Sequence, residues 1–123
     1  MAVKRILVVE DEPLVAWDIE SILADNGFAV IGPVATIDAA LGAIAEADID
    51  GAFVDMNLGG QPVDSVADAL RSARVPFSFV TGYSAIRAPA GYSAVPIIRK
   101  PFDAEALLRT AGWFSRDAEP LEG

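Results

Sequence analysis

Five short apolar runs alternate with helix-period segments along this chain, which predicts an α/β fold built on one parallel sheet. Two further observations support that class. Four of the runs end on residues able to do chemistry: Glu10-Asp11-Glu12, Asp55, Thr81 and Lys100. Parallel strands would gather these ends in one crevice, where open α/β sheets place their ligands. The composition also fits, because 123 residues at 53% hydrophobic content can cover one sheet on both faces but leave no room for a second core.

The elements follow in order. Lys4 to Val9 reads as the first strand. From Glu12 to about Asn26, apolar residues at Leu14, Val15, Ile19, Ile22 and Leu23 make a helical stripe, and Gly27 is its stop. Phe28 to Val34 is the second strand, and the late Gly32-Pro33 places it at a sheet edge. Thr36 caps a second helix with Ile37, Ala40, Leu41, Ile44 and Ala45 on one face. Gly51 to Val54 is strand three, Gly59-Gly60-Gln61-Pro62 a loop, and Val63 to Ala73 a third helix. Pro76 opens strand four. Pro89 and Gly91 interrupt the stretch from Tyr83 to Ala94, which limits it to a weak fourth helix of one or two turns. Pro96 to Arg99 is strand five. Asp103 caps the last helix, which carries Ala106, Leu107, Thr110, Ala111 and Phe114 on one side. We expect a single domain over 1–123, with 116–123 as a polar, fraying tail. Trp17 and Trp113 are assigned to core packing.

Composition excludes several classes. With no cysteine, neither disulfides nor thiolate ligands contribute, which is consistent with a reducing compartment. With no histidine there is no imidazole catalysis, zinc ligation or histidine pH switch. A net charge of −9 and scattered basic residues oppose nucleic-acid binding. The apolar run after Lys4-Arg5 is far shorter than the roughly 20 residues of a membrane span. The expectation is a cytoplasmic protein with no membrane and no nucleic-acid partner.

Each candidate residue has a structural and a chemical reading. The acids at 10–12 could cap the first helix, but one acid suffices for that. Three in succession repel unless a cation sits between them. All-oxygen ligands in an open, water-retaining site favour Mg²⁺ over a transition metal. Asp55 is either a turn residue or a nucleophile toward phosphorus, a reaction governed by positioning and charge neutralisation. Thr81 is either a β-branched strand residue or a hydroxyl donor. Lys100, between Ile97-Ile98-Arg99 and Pro101-Phe102, suits a phosphate as a compact point charge.

The ordered set of an acid pair, Asp55, Thr81 and Lys100-Pro101 resembles the CheY-like receiver domain of bacterial two-component response regulators, over almost the whole chain. The resemblance implies a flavodoxin-like doubly wound (βα)5 fold with strand order 2-1-3-4-5. It implies Asp55 as phosphoacceptor and Mg²⁺ held by Asp11 and Asp55, by Glu10 through water and by the Asn57 carbonyl. It also implies Thr81 as switch hydroxyl, Lys100 as partner first of the carboxylates and then of the phosphoryl oxygens, and a cis Lys100–Pro101 bond. The expected protein is a signalling domain rather than an enzyme, with slow self-dephosphorylation at most.

Departures from the common receiver pattern narrow the type. Asp55-Met-Asn-Leu-Gly-Gly60 replaces the usual methionine-proline turn, and Ile97 stands where receivers carry an aromatic switch. Pro76-Phe-Ser-Phe-Val-Thr-Gly-Tyr83 resembles the FAT GUY group of single-domain receivers, with Val80 in place of its alanine and Tyr83 as a replacement switch. That group implies a histidine kinase of HWE or related type, or a phosphotransfer protein, as donor. It further implies a downstream protein partner or a phosphate-sink role, often in general stress signalling. The first helix (Pro13, Leu14, Val15, Asp18) is the family's usual kinase-docking face. Three rivals were weighed. A haloacid-dehalogenase-type phosphohydrolase needs an acid two positions after its nucleophile, where this chain has Asn57. A flavin carrier needs a phosphate-cradling loop where this chain has three acids. A degenerate, non-phosphorylated receiver conflicts with the intact Asp55, Thr81 and Lys100.

Overall fold

A computed structural model gives the fold and describes residues 3–82 and 88–114. In chain order the elements are β1 (Arg5–Val9), α1 (Pro13–Asp25), β2 (Ala29–Val34), α2 (Ile37–Glu46), β3 (Gly51–Asp55), α3 (Asp64–Ser72), β4 (Phe77–Thr81), β5 (Ile97–Arg99) and α4 (Ala104–Trp113). The strands form one parallel sheet in the order β2-β1-β3-β4-β5. This is the flavodoxin-like order that the receiver resemblance implies.

Alternation along the strands sorts side chains to opposite faces. Leu7, Val9, Ala52, Val54, Phe77 and Phe79 join Ala40 of α2 and Val66 and Leu70 of α3 on one side. Ile6, Val8, Phe53, Val80 and Ile98 join Ile19 and Leu23 of α1 and Leu107 and Ala111 of α4 on the other. Because both faces are covered, β3 and β4 are buried at every residue. β2 lies at an edge, as its proline requires, and its register against β1 shifts between Leu7 and Val9.

Element limits differ from the sequence reading for local reasons. Phe28 is not yet strand, because its N–H closes the turn after α1 onto the Leu23 carbonyl at 3.0 Å. Gly27, at φ +89°, terminates that helix in the left-handed region. Between β4 and β5 the described residues 88–96 form turns, closed by Tyr92 N–H on Pro89 O and Val95 N–H on Tyr92 O. The rest of the expected weak helix, 83–87, and the tail at 116–123 lie outside the described residues.

Two core assignments are corrected. Trp17 is 67% exposed and Trp113 46% exposed. The buried stripe of α1 is Ala16, Ile19 and Leu23, which turns Trp17 outward and also leaves Leu14 80% exposed. At the end of α4 the core position belongs to Phe114, whose ring lies 5.2 Å from that of Phe53. A Cβ at Gly51 would stand 2.2 Å from Phe114 Cδ2, so glycine is what lets this ring seat. Among the described residues no helix is long and apolar enough to cross a membrane.

Candidate functional site

Four neighbouring strand ends build the crevice. β1 delivers Glu10, fixed where its N–H reaches the Val34 carbonyl of β2 at 2.9 Å. The Glu10 side chain is 2% exposed, and its Oε2 accepts the Glu12 N–H at 3.1 Å. Asp11, one residue on, turns its Oδ2 to the Gly59 N–H at 2.9 Å. β3 ends on Asp55, 3% exposed, whose Oδ1 accepts the Asn57 N–H at 3.1 Å. Carboxylate oxygens of Glu10, Asp11 and Asp55 all lie within 4.8 Å of one another.

β4 ends on Thr81, also buried, and β5 runs into Lys100, whose N–H meets the Thr81 carbonyl at 2.7 Å. That main-chain bond sets the lysine beside the carboxylates. Its Nζ stands 2.9 Å from Glu12 Oε1, 3.0 Å from Glu10 Oε1 and 3.6 Å from Asp55 Oδ2. The Lys100–Pro101 peptide is cis, as the resemblance implied.

Charge is incompletely compensated here. Burial, reinforced by the Glu10 carboxylate, pushes the Asp55 carboxyl up to about 7 against the opposing pull of the Asn57 N–H and Lys100. Burial would lower the Lys100 ammonium, but Glu12, Glu10 and Asp55 outweigh it and raise it. Among the described residues Glu10 Oε1 is buried with no directed hydrogen-bond donor, the Lys100 ammonium standing at ion-pair distance, 3.0 Å away. Such an orphaned oxygen is costly unless further positive charge arrives. A divalent cation among Glu10, Asp11 and Asp55 would supply it, and the all-oxygen donor set fits a hard ion.

The residues singled out from sequence therefore fall into groups. Glu10, Asp11, Asp55 and Lys100 converge directly, with Thr81 at the adjacent strand end and Asn57 holding Asp55 through its N–H. Tyr83 lies outside the described residues, and Pro101 borders a surface groove instead of the crevice. Two participants were missed. Glu12 was counted among the acids but given no role, yet among the described residues it holds the shortest contact to the Lys100 ammonium. Gly59, read only as a loop residue, orients Asp11 through its amide, and its φ of +61° was signalled by the double glycine. The groove, about 340 Å³, is lined by apolar Leu14, Val15, Trp17, Pro101 and Phe102 together with Asp18 and Lys100.

Comparison with known proteins agrees with this geometry. Residues 6–111 match the response regulator receiver domain family. The chain is 34% identical over 126 residues to the phyllosphere-induced regulator PhyR of Methylorubrum extorquens, covering 96% of this chain but 47% of that protein. It thus spans about half the length of that relative. Among solved structures, SdrG from Sphingomonas melonis Fr1 is 34% identical with a TM-score of 0.81, over 91% of this chain and 97% of that one. The BeF3-activated conformation of SdrG from Pseudomonas melonis Fr1 is 33% identical with a TM-score of 0.75, again over 91% and 97%. With the expected strand order and a family model spanning most of its length, the chain belongs to the response regulator receiver domains of two-component signalling.

Proposed function

We propose that Asp55 accepts a phosphoryl group from a phosphohistidine in a Mg²⁺-dependent reaction. The observation that carries this is the meeting of Asp55 with two further carboxylates and one ammonium at adjacent strand ends. An Asp55 carboxylate oxygen attacks phosphorus, the P–N bond to the donor imidazole breaks, and its electron pair leaves with the ring. An acyl phosphate remains on Asp55. Mg²⁺, held by Asp11 and Asp55, by Glu10 through water and by the Asn57 carbonyl, would supply the neutralising charge that phosphoryl transfer demands. Thr81 donates its hydroxyl to a phosphoryl oxygen and Lys100 pairs with another, which supports the new dianion.

A surface groove supports the donor class. The groove beside Lys100 carries exposed Leu14 and Trp17 next to the acid turn, so a kinase or phosphotransfer helix seated there would bring its phosphohistidine to the crevice. A histidine kinase of HWE type and a FAT GUY assignment with Tyr83 as switch belong to this proposal, supported by the segment from Pro76 to Tyr83. The output is a change in affinity for a downstream protein, or service as a phosphate sink. To test the proposal, the protein is incubated with acetyl phosphate and Mg²⁺ and its intact mass is read. One added phosphoryl group is expected, absent in Asp55→Asn and absent after chelation; no gain in the unmodified protein defeats the reading.

A further inference from the structure

The crevice contains one acid more than the proposed reaction uses. Glu12 is the N-cap residue of α1, where an acid ordinarily accepts the helix's free N–H groups, yet its side chain makes no capping hydrogen bond. It reaches instead to Lys100, at 2.9 Å, although its side chain is 60% exposed. Lys100 is thereby held nearer Glu12 than Asp55, which lies at 3.6 Å.

We infer that Glu12 is a positioning residue that holds the Lys100 ammonium away from the phosphoryl position, so that it sets how readily Lys100 engages an acyl phosphate on Asp55. The inference rests on the proposed phosphoryl chemistry and goes beyond it. The geometry offers both a hold and a release. Glu12 N–H is tied to Glu10 Oε2, so one turn presents both carboxylates to the ammonium. To serve oxygens on Asp55, the ammonium, now 3.6 Å from Asp55 Oδ2, must give up part of its closer contact with that turn.

The release is easy on two counts. Gly82 borders the lysine stem, and even a Cβ there would stand 3.7 Å from Lys100 Cδ, an ordinary contact, so this position does not confine the stem. Glu12 is also the solvent-exposed one of the two glutamate partners, and an exposed ion pair biases an equilibrium by only about two- to fivefold. Glu12 therefore tunes the response without blocking it.

Beryllofluoride binding to the full chain at saturating Mg²⁺, followed by calorimetry, tests this with wild type, Glu12→Gln and Glu20→Gln. Glu20→Gln removes the same charge from the same helix without touching Lys100. Glu12→Gln is expected to bind beryllofluoride about threefold more tightly than wild type, at an unchanged melting temperature, and to lose an acetyl-phosphate-derived phosphoryl group more slowly. Glu20→Gln is expected to match wild type. Equal affinities for wild type and Glu12→Gln, or an equal gain in Glu20→Gln, overturn the role of Glu12 alone. If wild type neither binds beryllofluoride nor gains mass with acetyl phosphate, the phosphoryl reading itself fails and the role of Glu12 goes with it.

Discussion

The two ends of the sheet treat charge in opposite ways. At the amino end, Lys4 Nζ donates to the Gly112 carbonyl at 2.7 Å and Arg5 Nε to the Asp48 carbonyl at 2.7 Å. The Asp50 carboxylate there accepts the Arg5 N–H at 2.9 Å. Each charge in these contacts has a directed partner, and each bond ties a strand to a later element. At the carboxyl end, Glu10, Glu12 and Asp55 crowd Lys100, and Glu10 Oε1 is left without a directed donor. One end is built to hold the fold and the other retains unspent electrostatic strain. That strain is what a cation can relieve.

The sharpest way to break the comparison lies at the stable end. Phe114→Ala removes a fully buried ring packed on Phe53 and Gly51, and should cost about 3–5 kcal/mol in denaturant unfolding. Gly51→Ala overpacks the same spot and should cost about 1–3 kcal/mol. The double variant should lose less than the sum, because the new methyl group occupies space the ring vacated. Strict additivity would mean that the ring does not depend on Gly51.

Next in size is the lysine. Lys100→Met removes the ammonium that compensates buried Glu10 and Asp55, and should destabilise the metal-free protein by about 3 kcal/mol near pH 8. Saturating Mg²⁺ should recover much of that loss in a thermal melt. A variant as stable as wild type without metal would show that the acids are satisfied without Lys100.

Much of this architecture was legible in the sequence because two periodicities and a few stop residues encode it. The Gly27 stop, the Thr36 and Asp103 caps and the edge placement of the Pro33 strand follow from backbone requirements that only those residue types meet. The crevice was legible because each chemical residue directly follows an apolar run, so strand topology alone brings the ends together. What stayed hidden depends on helix rotation and on non-local choice. Trp17 lies one residue from a buried position, and a 100° turn decides its exposure, which composition cannot set. Glu12 could as well have capped its own helix, and its preference for Lys100, 88 residues away, is visible only in three dimensions. Tyr92, read as part of an ill-defined segment, proves buried, with its hydroxyl on Asp68 and the Arg71 guanidinium over its ring at 4.1 Å.

A pH titration sharpens the contrast further. Asp55 is raised in the folded protein from 3.8 to about 7, so between those values the folded state binds more protons than the unfolded one. Stability contributed at this site therefore falls as pH rises from about 4 to 7 and is level above that. In metal-free melts the stability of Asp55→Asn relative to wild type should grow across this window, and Mg²⁺ should flatten the wild-type curve. Parallel curves for the two proteins would remove the electrostatic strain from the carboxyl end.

Smallest of all is a pair chosen for its identical distance. Arg109 Nη2 and Glu105 Oε1 lie 2.9 Å apart on α4, the same separation as Lys100 and Glu12. Their side chains are 71% and 82% exposed, whereas that of Lys100 is 13% exposed. Water screens the helix-surface pair, and holding two long side chains costs entropy, so Arg109→Ala should change stability by only about 0.3–0.5 kcal/mol. Raising salt should erase most of that difference. The Lys100→Met penalty should survive the same salt, because its acids are shielded by protein and not by ions. If both effects vanished together in chemical denaturation at high salt, the distance and not the burial would govern these contacts.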